Sequence, residues 1–226
     1  MTPITSYLSP LTSYLPYMSP IETLGFALGT SFASGLNLYL TVAAAGLFQR
    51  LGIVQLPDSL QVLANPIVLG VASAMFVIEF IADKIPYVDT AWDAVHTFIR
   101  PPAAAIIAYS AFGHVPEEWK VGAALLAGGV ALTSHGAKAT SRAAANTSPE
   151  PFSNWTLSVL EDGLAVFLTW MAATHPAITA LIVVVLVILA VLVIWKLYGY
   201  FKVIRTRLRR QTTAKNVTTE GGRTPR

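Results

Sequence analysis

Three basic side chains, His135, Lys138 and Arg142, stand three and four residues apart, the spacing of one helix face. They open the polar stretch TSHGAKATSRAAANTSPEPFSNWTLSVLED, residues 133 to 162, which closes on Glu161 and Asp162. With Ser134 and Asn146 beside it, such a cluster can hold a phosphate or carboxylate through charge-assisted hydrogen bonds. Two other readings compete: anchoring to lipid headgroups, and a neutral clamp in which the Ser-Pro-Glu-Pro turn brings Glu161 and Asp162 back against the cations. A second set lies upstream. Glu79 and Asp83 are one helical turn apart, and Asp89, Asp93, His96 and Arg100 follow at spacings of four, three and four. Glu79, Asp83, Asp89, Asp93 and His96 are oxygen-rich with one imidazole, which suits a hard divalent cation or a proton relay. The competing reading is a set of ion pairs with Lys84 and Arg100.

Charges in these places need a reason because the rest of the chain is so apolar. Of its 226 residues 54% are hydrophobic and 12% charged, with a mean hydropathy of +0.58, where a soluble domain has about a quarter of its residues charged. The composition is that of an all-α integral membrane protein. No cysteine is present, which excludes disulfides, thiolate metal sites and cysteine nucleophiles. No Walker loop, zinc-binding HExxH, nucleophile elbow or haem-binding CxxCH occurs, so an enzyme is the weakest class, no cofactor is indicated, and nothing points to nucleic acid. The net charge of +3 hides an asymmetry: residues 1 to 195 carry 6 basic and 11 acidic side chains, and residues 196 to 226 carry 9 and 1.

The elements that must position these groups are apolar runs. Residues 1 to 20 lack the basic region and cleavage site of a signal peptide and are expected to stay on the mature protein. They repeat Thr-Ser-Tyr-Leu at 5 to 8 and 12 to 15, which suits either an interfacial segment or an unstructured leader. Residues 21 to 48 form the first expected span, with Gly29, Thr30, Ser31, Ser34, Gly35, Asn37, Tyr39 and Thr41 turned into a bundle. A connector broken by Pro57 and Pro66 leads to the second span, 67 to 85. Glu79 there is expected to face the interior and pair, with Lys84 or Arg100, because lipid exposure costs about 2.5 kcal/mol or more. The Asp89 to Arg100 segment is about ten residues long and Pro101-Pro102 interrupts it, so with the following apolar segment it reads as a broken third helix. Spans follow at 119 to 144, 155 to 173 and 177 to 200.

Six crossings result, with five plus a re-entrant segment as the alternative. By the positive-inside rule the basic arm after Lys196 is cytoplasmic, and six crossings then put the N-terminus and residues 135 to 154 inside as well. Three regions are expected: 1–20 interfacial, 21–203 transmembrane, and 204–226 a basic cytoplasmic tail. ASGLNLYLT at 33 to 41 also aligns with SHGAKATSR at 134 to 142, matching Gly35 with Gly136, Asn37 with Lys138 and Thr41 with Arg142. Two three-helix halves crossing in opposite directions would be the inverted repeat of many transporters, with a site at the repeat interface.

The strings ALGTSFASGLNLYLTVAAAGL, VIEFIADKIPYVDTAWDAVHTFIRPPA and SHGAKATSRAAANTSPEPFSNWTLSVLED resemble a bacterial family of integral membrane proteins, domain of unknown function 4126, over roughly residues 22 to 175. EFIADKIP and SPEPFSN are its most specific motifs. The resemblance implies the bacterial inner membrane and carries over no activity. Two functions stay open: a small-solute or ion transporter, or an accessory subunit of a larger membrane complex. Beyond the lipid bilayer itself, the partners to expect are an anionic lipid or small anion at the basic cluster, or other subunits docking on the N-terminal segment, last helix and tail.

Overall fold

The computed structural model describes residues 19–85, 87–113, 115–146 and 151–220. The N-terminal tyrosine repeat, residues 148–150 of the Ser-Pro-Glu-Pro turn and the last six residues of the basic tail lie outside them. Every regular element among the described residues is helical: α1 (Pro20–Leu36), α2 (Leu38–Arg50), a 3-10 helix (Asp58–Ala64), α3 (Pro66–Ala82), α4 (Val88–His96), α5 (Arg100–Ala111), α6 (Glu117–Ala145), α7 (Pro151–Thr174) and α8 (Pro176–Glu220).

Helix α1 is the axis of the bundle and packs against α5, α6, α7 and α8. It starts on a capping box: the Ser19 N–H donates to Glu22 Oε2 at 2.7 Å and the Glu22 N–H to Ser19 Oγ at 3.3 Å. Its small residues let four helices approach one. A Cβ on Gly25 would strike the backbone carbonyl of Pro176, and one on Gly35 would strike Ser134 Oγ and the Ala131 carbonyl. Phe26, Phe32 and Leu36 fill the remaining space against Ala172, Leu168 and Val130.

Two expectations from the sequence are corrected here. The run from 21 to 48 is two helices, because Asn37 is extended at φ −150° and ψ 102°, ending α1 and capping α2. Between its prolines the connector holds a 3-10 helix, Asp58–Ala64, and Pro66 begins α3 at a position where its missing N–H costs nothing. The break in the third helix exists but comes earlier than the prolines: α4 ends at His96 and α5 starts at Arg100 with Pro101 and Pro102 in its first turn, so Arg100 is not on the helix that carries Asp89, Asp93 and His96.

Two helices are long and apolar enough to cross a membrane, Asn154–Thr174 and Pro176–Tyr200; a bent pair, Asp58–Ala64 with Pro66–Ala82 at 66°, passes only when taken together. The other apolar segments fall short for physical reasons. Helices α1 and α3 have 17 residues each, where about 20 are needed to cross 30 Å of hydrocarbon, and α6 carries His135, Lys138 and Arg142 in its second half.

Candidate functional site

The break at Asn37 generates the centre of the site. A helix end leaves backbone carbonyls without partners, and its dipole makes that end a place for positive charge. Arg100 Nη1 donates to Gly35 O at 2.9 Å and Lys138 Nζ to Leu36 O at 3.0 Å, so two buried cations close the C-terminus of α1. A third does the same for α3, where Arg142 Nη1 donates to Asp83 O at 2.6 Å. On the other side of the break the Asn37 side chain accepts the Leu40 N–H at 3.0 Å, a conventional N-cap for α2, and donates to Asp162 Oδ1 at 2.9 Å.

The carboxylates neutralise these cations. Arg100 Nη2 is 2.6 Å from Glu79 Oε1, and Lys138 Nζ lies 3.2 Å from the same oxygen and 3.0 Å from Asp83 Oδ2. With Leu36 O, these occupy all three donors of the Lys138 ammonium. Arg142 Nη2 bridges Asp83 Oδ2 at 2.9 Å and Glu161 Oε2 at 2.7 Å. Arg100, Glu79, Lys138, Asp83 and Arg142 are each at most 2% exposed. Asp93 stands apart at 3.7 Å from Arg100, and neither of its oxygens has a hydrogen-bond partner among the described residues.

Two histidines sit against this network in fixed tautomers. A guanidinium can only donate, so the 2.8 Å contact of Arg100 Nη1 with His135 Nδ1 makes that nitrogen an acceptor; the ring hydrogen is on Nε2, facing Asp93 O at 3.1 Å and Thr97 Oγ1 at 2.9 Å. His96 is the reverse. Its Nδ1 donates to Trp92 O at 2.8 Å, leaving Nε2 to accept from the Tyr39 hydroxyl at 3.1 Å. At one edge Asn146 donates to both oxygens of Asp89, at 3.1 and 2.9 Å, and accepts from Asn154 at 2.5 Å.

The structure therefore joins the two candidate sets into one network. His135, Lys138 and Arg142 meet Glu79, Asp83, Asp93 and Arg100 directly and Glu161 joins through Arg142, while Asn146 with Asp89, and Asp162 with Asn37, flank them. Lys84 does not serve Glu79: it donates to Phe80 O at 3.0 Å and lies over the Phe80 ring at 2.9 Å from the centroid. The carboxylates are spread along their cationic partners, and among the described residues no group of three or more His, Asp or Glu side chains is arranged to hold a metal ion. Sequence reasoning missed the roles of Asn37, Thr97 and Asn154. For Asn37 a signal existed: an amide in the middle of an apolar run, two residues after a glycine.

Fold and site together define a class, an all-helical bundle with a charged network closed inside it and two helices suited to a bilayer. Residues 24–196 match a family model described as a domain of unknown function, DUF4126, and the chain belongs to that family. No curated protein and no solved structure matches it.

Proposed function

We propose that this protein is an ion transporter of the bacterial inner membrane, with both termini cytoplasmic and the buried network as the site through which the ion passes. The observation that carries this reading is the discontinuous helix at Asn37 with its freed carbonyls turned onto buried charge. In a chain this apolar, non-helical backbone at depth is tolerated where it lines a site, and transporters build their ion sites from such breaks. The distribution of side chains supports a lipid surround. Leu181, Ile67 and Val71 are 71, 76 and 60% exposed while Arg100 and Glu79 are fully buried, the inverse of a water-soluble protein.

The contacts also support opposed halves. Under the alignment of 33 to 41 with 134 to 142, Asn37 and Lys138 are equivalent. Asn37 bonds Asp162 of the second half, and Lys138 bonds Glu79 and Asp83 of the first. A two-fold axis between three-helix halves requires such an exchange, and the aligned segments also touch where Gly35 meets Ser134. The network favours a cation over an anion, because Arg100, Lys138 and Arg142 are already engaged by carboxylates.

The test is ion flux into proteoliposomes under imposed gradients of H+, Na+ and K+. Wild-type protein should move one of them, and Lys138→Gln should abolish the flux while the variant still elutes as a folded, monodisperse species. Folded wild-type protein that moves none of the three would overturn the proposal. So would loss of flux only in proportion to loss of folded protein, the behaviour of a clamp.

A further inference from the structure

We propose that Asp93 is the residue at which this network takes up and releases a proton, making the proton the transported or coupling ion; this step rests on the transporter reading above. The network holds six carboxylates, Glu79, Asp83, Asp89, Asp93, Glu161 and Asp162, against three permanent cations, Arg100, Lys138 and Arg142. The histidines do not make up the difference. His135 cannot gain a proton on Nδ1 without losing its bond from Arg100, and His96 as bonded is neutral. With every carboxylate ionised the interior would hold three surplus negative charges. Buried charge without a partner is costly, and a carboxylate escapes that cost by binding a proton.

The hydrogen bonds single out which carboxylate. Glu79, Asp83 and Glu161 are paired with cations, Asp89 is held through both oxygens by Asn146, and Asp162 accepts from Asn37. Asp93, 3% exposed, has no donor to either oxygen among the described residues. It forfeits least as a neutral acid. Its proton joins one carboxylate oxygen and leaves by breaking that same O–H bond. Several charged or titratable groups face it: Arg100 on α5, His135, Lys138 and Arg142 on α6, Asp83 at the end of α3, and His96 one turn along α4. Arg100 is the natural control. Its guanidinium is 2.6 Å from Glu79 and 3.7 Å from Asp93, so a shift of Arg100 from Glu79 toward Asp93 favours the carboxylate and expels the proton.

Infrared difference spectra of the purified full chain, taken between acidic and alkaline pH, test this directly. Wild-type protein should show a protonated-carboxyl C=O band that titrates; Asp93→Asn should lack it and Asp89→Asn should retain it. Should Asp93→Asn fail to fold, Asp93→Glu should keep the band at a displaced frequency. A band unchanged in Asp93→Asn, or in Asp93→Glu where that variant is used, would overturn the assignment. Proton flux in liposomes, read with an entrapped pH dye, separates this inference from the one beneath it. Flux of Na+ or K+ with no Asp93 band leaves the transporter standing and sinks the proton, whereas an Asp93 band in a protein that moves no ion establishes the proton site and sinks the transporter.

Discussion

Two lysine–carboxylate contacts in this molecule are alike in distance and opposite in surroundings. Lys138 lies 3.0 Å from Asp83 with both side chains at most 1% exposed, and Lys120 lies 2.9 Å from Glu117, whose side chain is 66% exposed. The inner lysine has spent its donors on two carboxylates and the end of a helix. The outer one joins Glu117, which also accepts the Tyr109 hydroxyl at 2.6 Å, on the first turn of α6. Distance alone ranks these pairs as equals; solvent separates them. In water each charge has an alternative partner, so little is lost when the pair opens. In the interior there is none, and removing one member strands the other.

The sharpest way to expose that difference is Arg100→Met. It leaves Glu79 with Lys138 as its one remaining cation and Gly35 O without its side-chain donor, and about 3–5 kcal/mol should be lost, as when other buried pairs are broken. Thermal unfolding in detergent should show the largest drop of any single substitution in the bundle. The double variant Arg100→Met with Glu79→Gln should recover part of the loss, since the carboxylate that lost a cation is then neutral and Lys138 keeps Asp83. Additive losses would mean that the two side chains are not coupled, and the inner network would then resemble the outer pair.

Asn37→Ala should come next. It removes the N-cap of α2 and the donor to Asp162, for about 1–3 kcal/mol. Asn37→Asp sharpens the result: it keeps the cap acceptor and places a carboxylate against Asp162, so it should be no better than Ala. Recovery by Asp would show that only the cap matters.

What the sequence could say about these two regions differed for the same reason. The outer cluster is local, within one loop and one helix start, and Glu117 and Lys120 are three residues apart. The inner network is not. Helical spacing placed His135, Lys138 and Arg142 on one face, and lipid cost turned Glu79 inward, but Lys138 meets Asp83 across 55 residues of chain, so the sequence presented two candidate sites where the fold has one. Lys84 looked a fitting partner for Glu79 by proximity in the chain, yet the end of α3 directs it back onto Phe80. The break at Asn37 carries only the weak mark of an amide in an apolar run, with neither proline nor a charge; it is stabilised by Arg100 and Lys138, which arrive from other helices.

The smallest expected effect completes the comparison. Lys120→Ala removes an ammonium from a pair that water already screens, so the melting temperature near neutral pH and the folded yield should stay at wild-type values. The Tyr109 hydroxyl, and after it Lys120, holds the Glu117 carboxyl below its ordinary range. A depressed folded value means that whatever Glu117 contributes is present above the ordinary carboxylate range and is lost as pH falls through the folded value. Any Lys120 effect should therefore vanish in strong acid, and it should shrink with added salt, because the Debye length falls from about 10 Å at 0.1 M to about 3 Å at 1 M. The inner pair should respond to neither salt nor this acid range in the same way, because both of its side chains are buried. If Lys120→Ala lowers the melting temperature as much as Asn37→Ala, and does so equally at low and high salt, then burial is not what distinguishes the two regions. The outer cluster would then have to be treated as a second structural centre, pinning α5 to the start of α6.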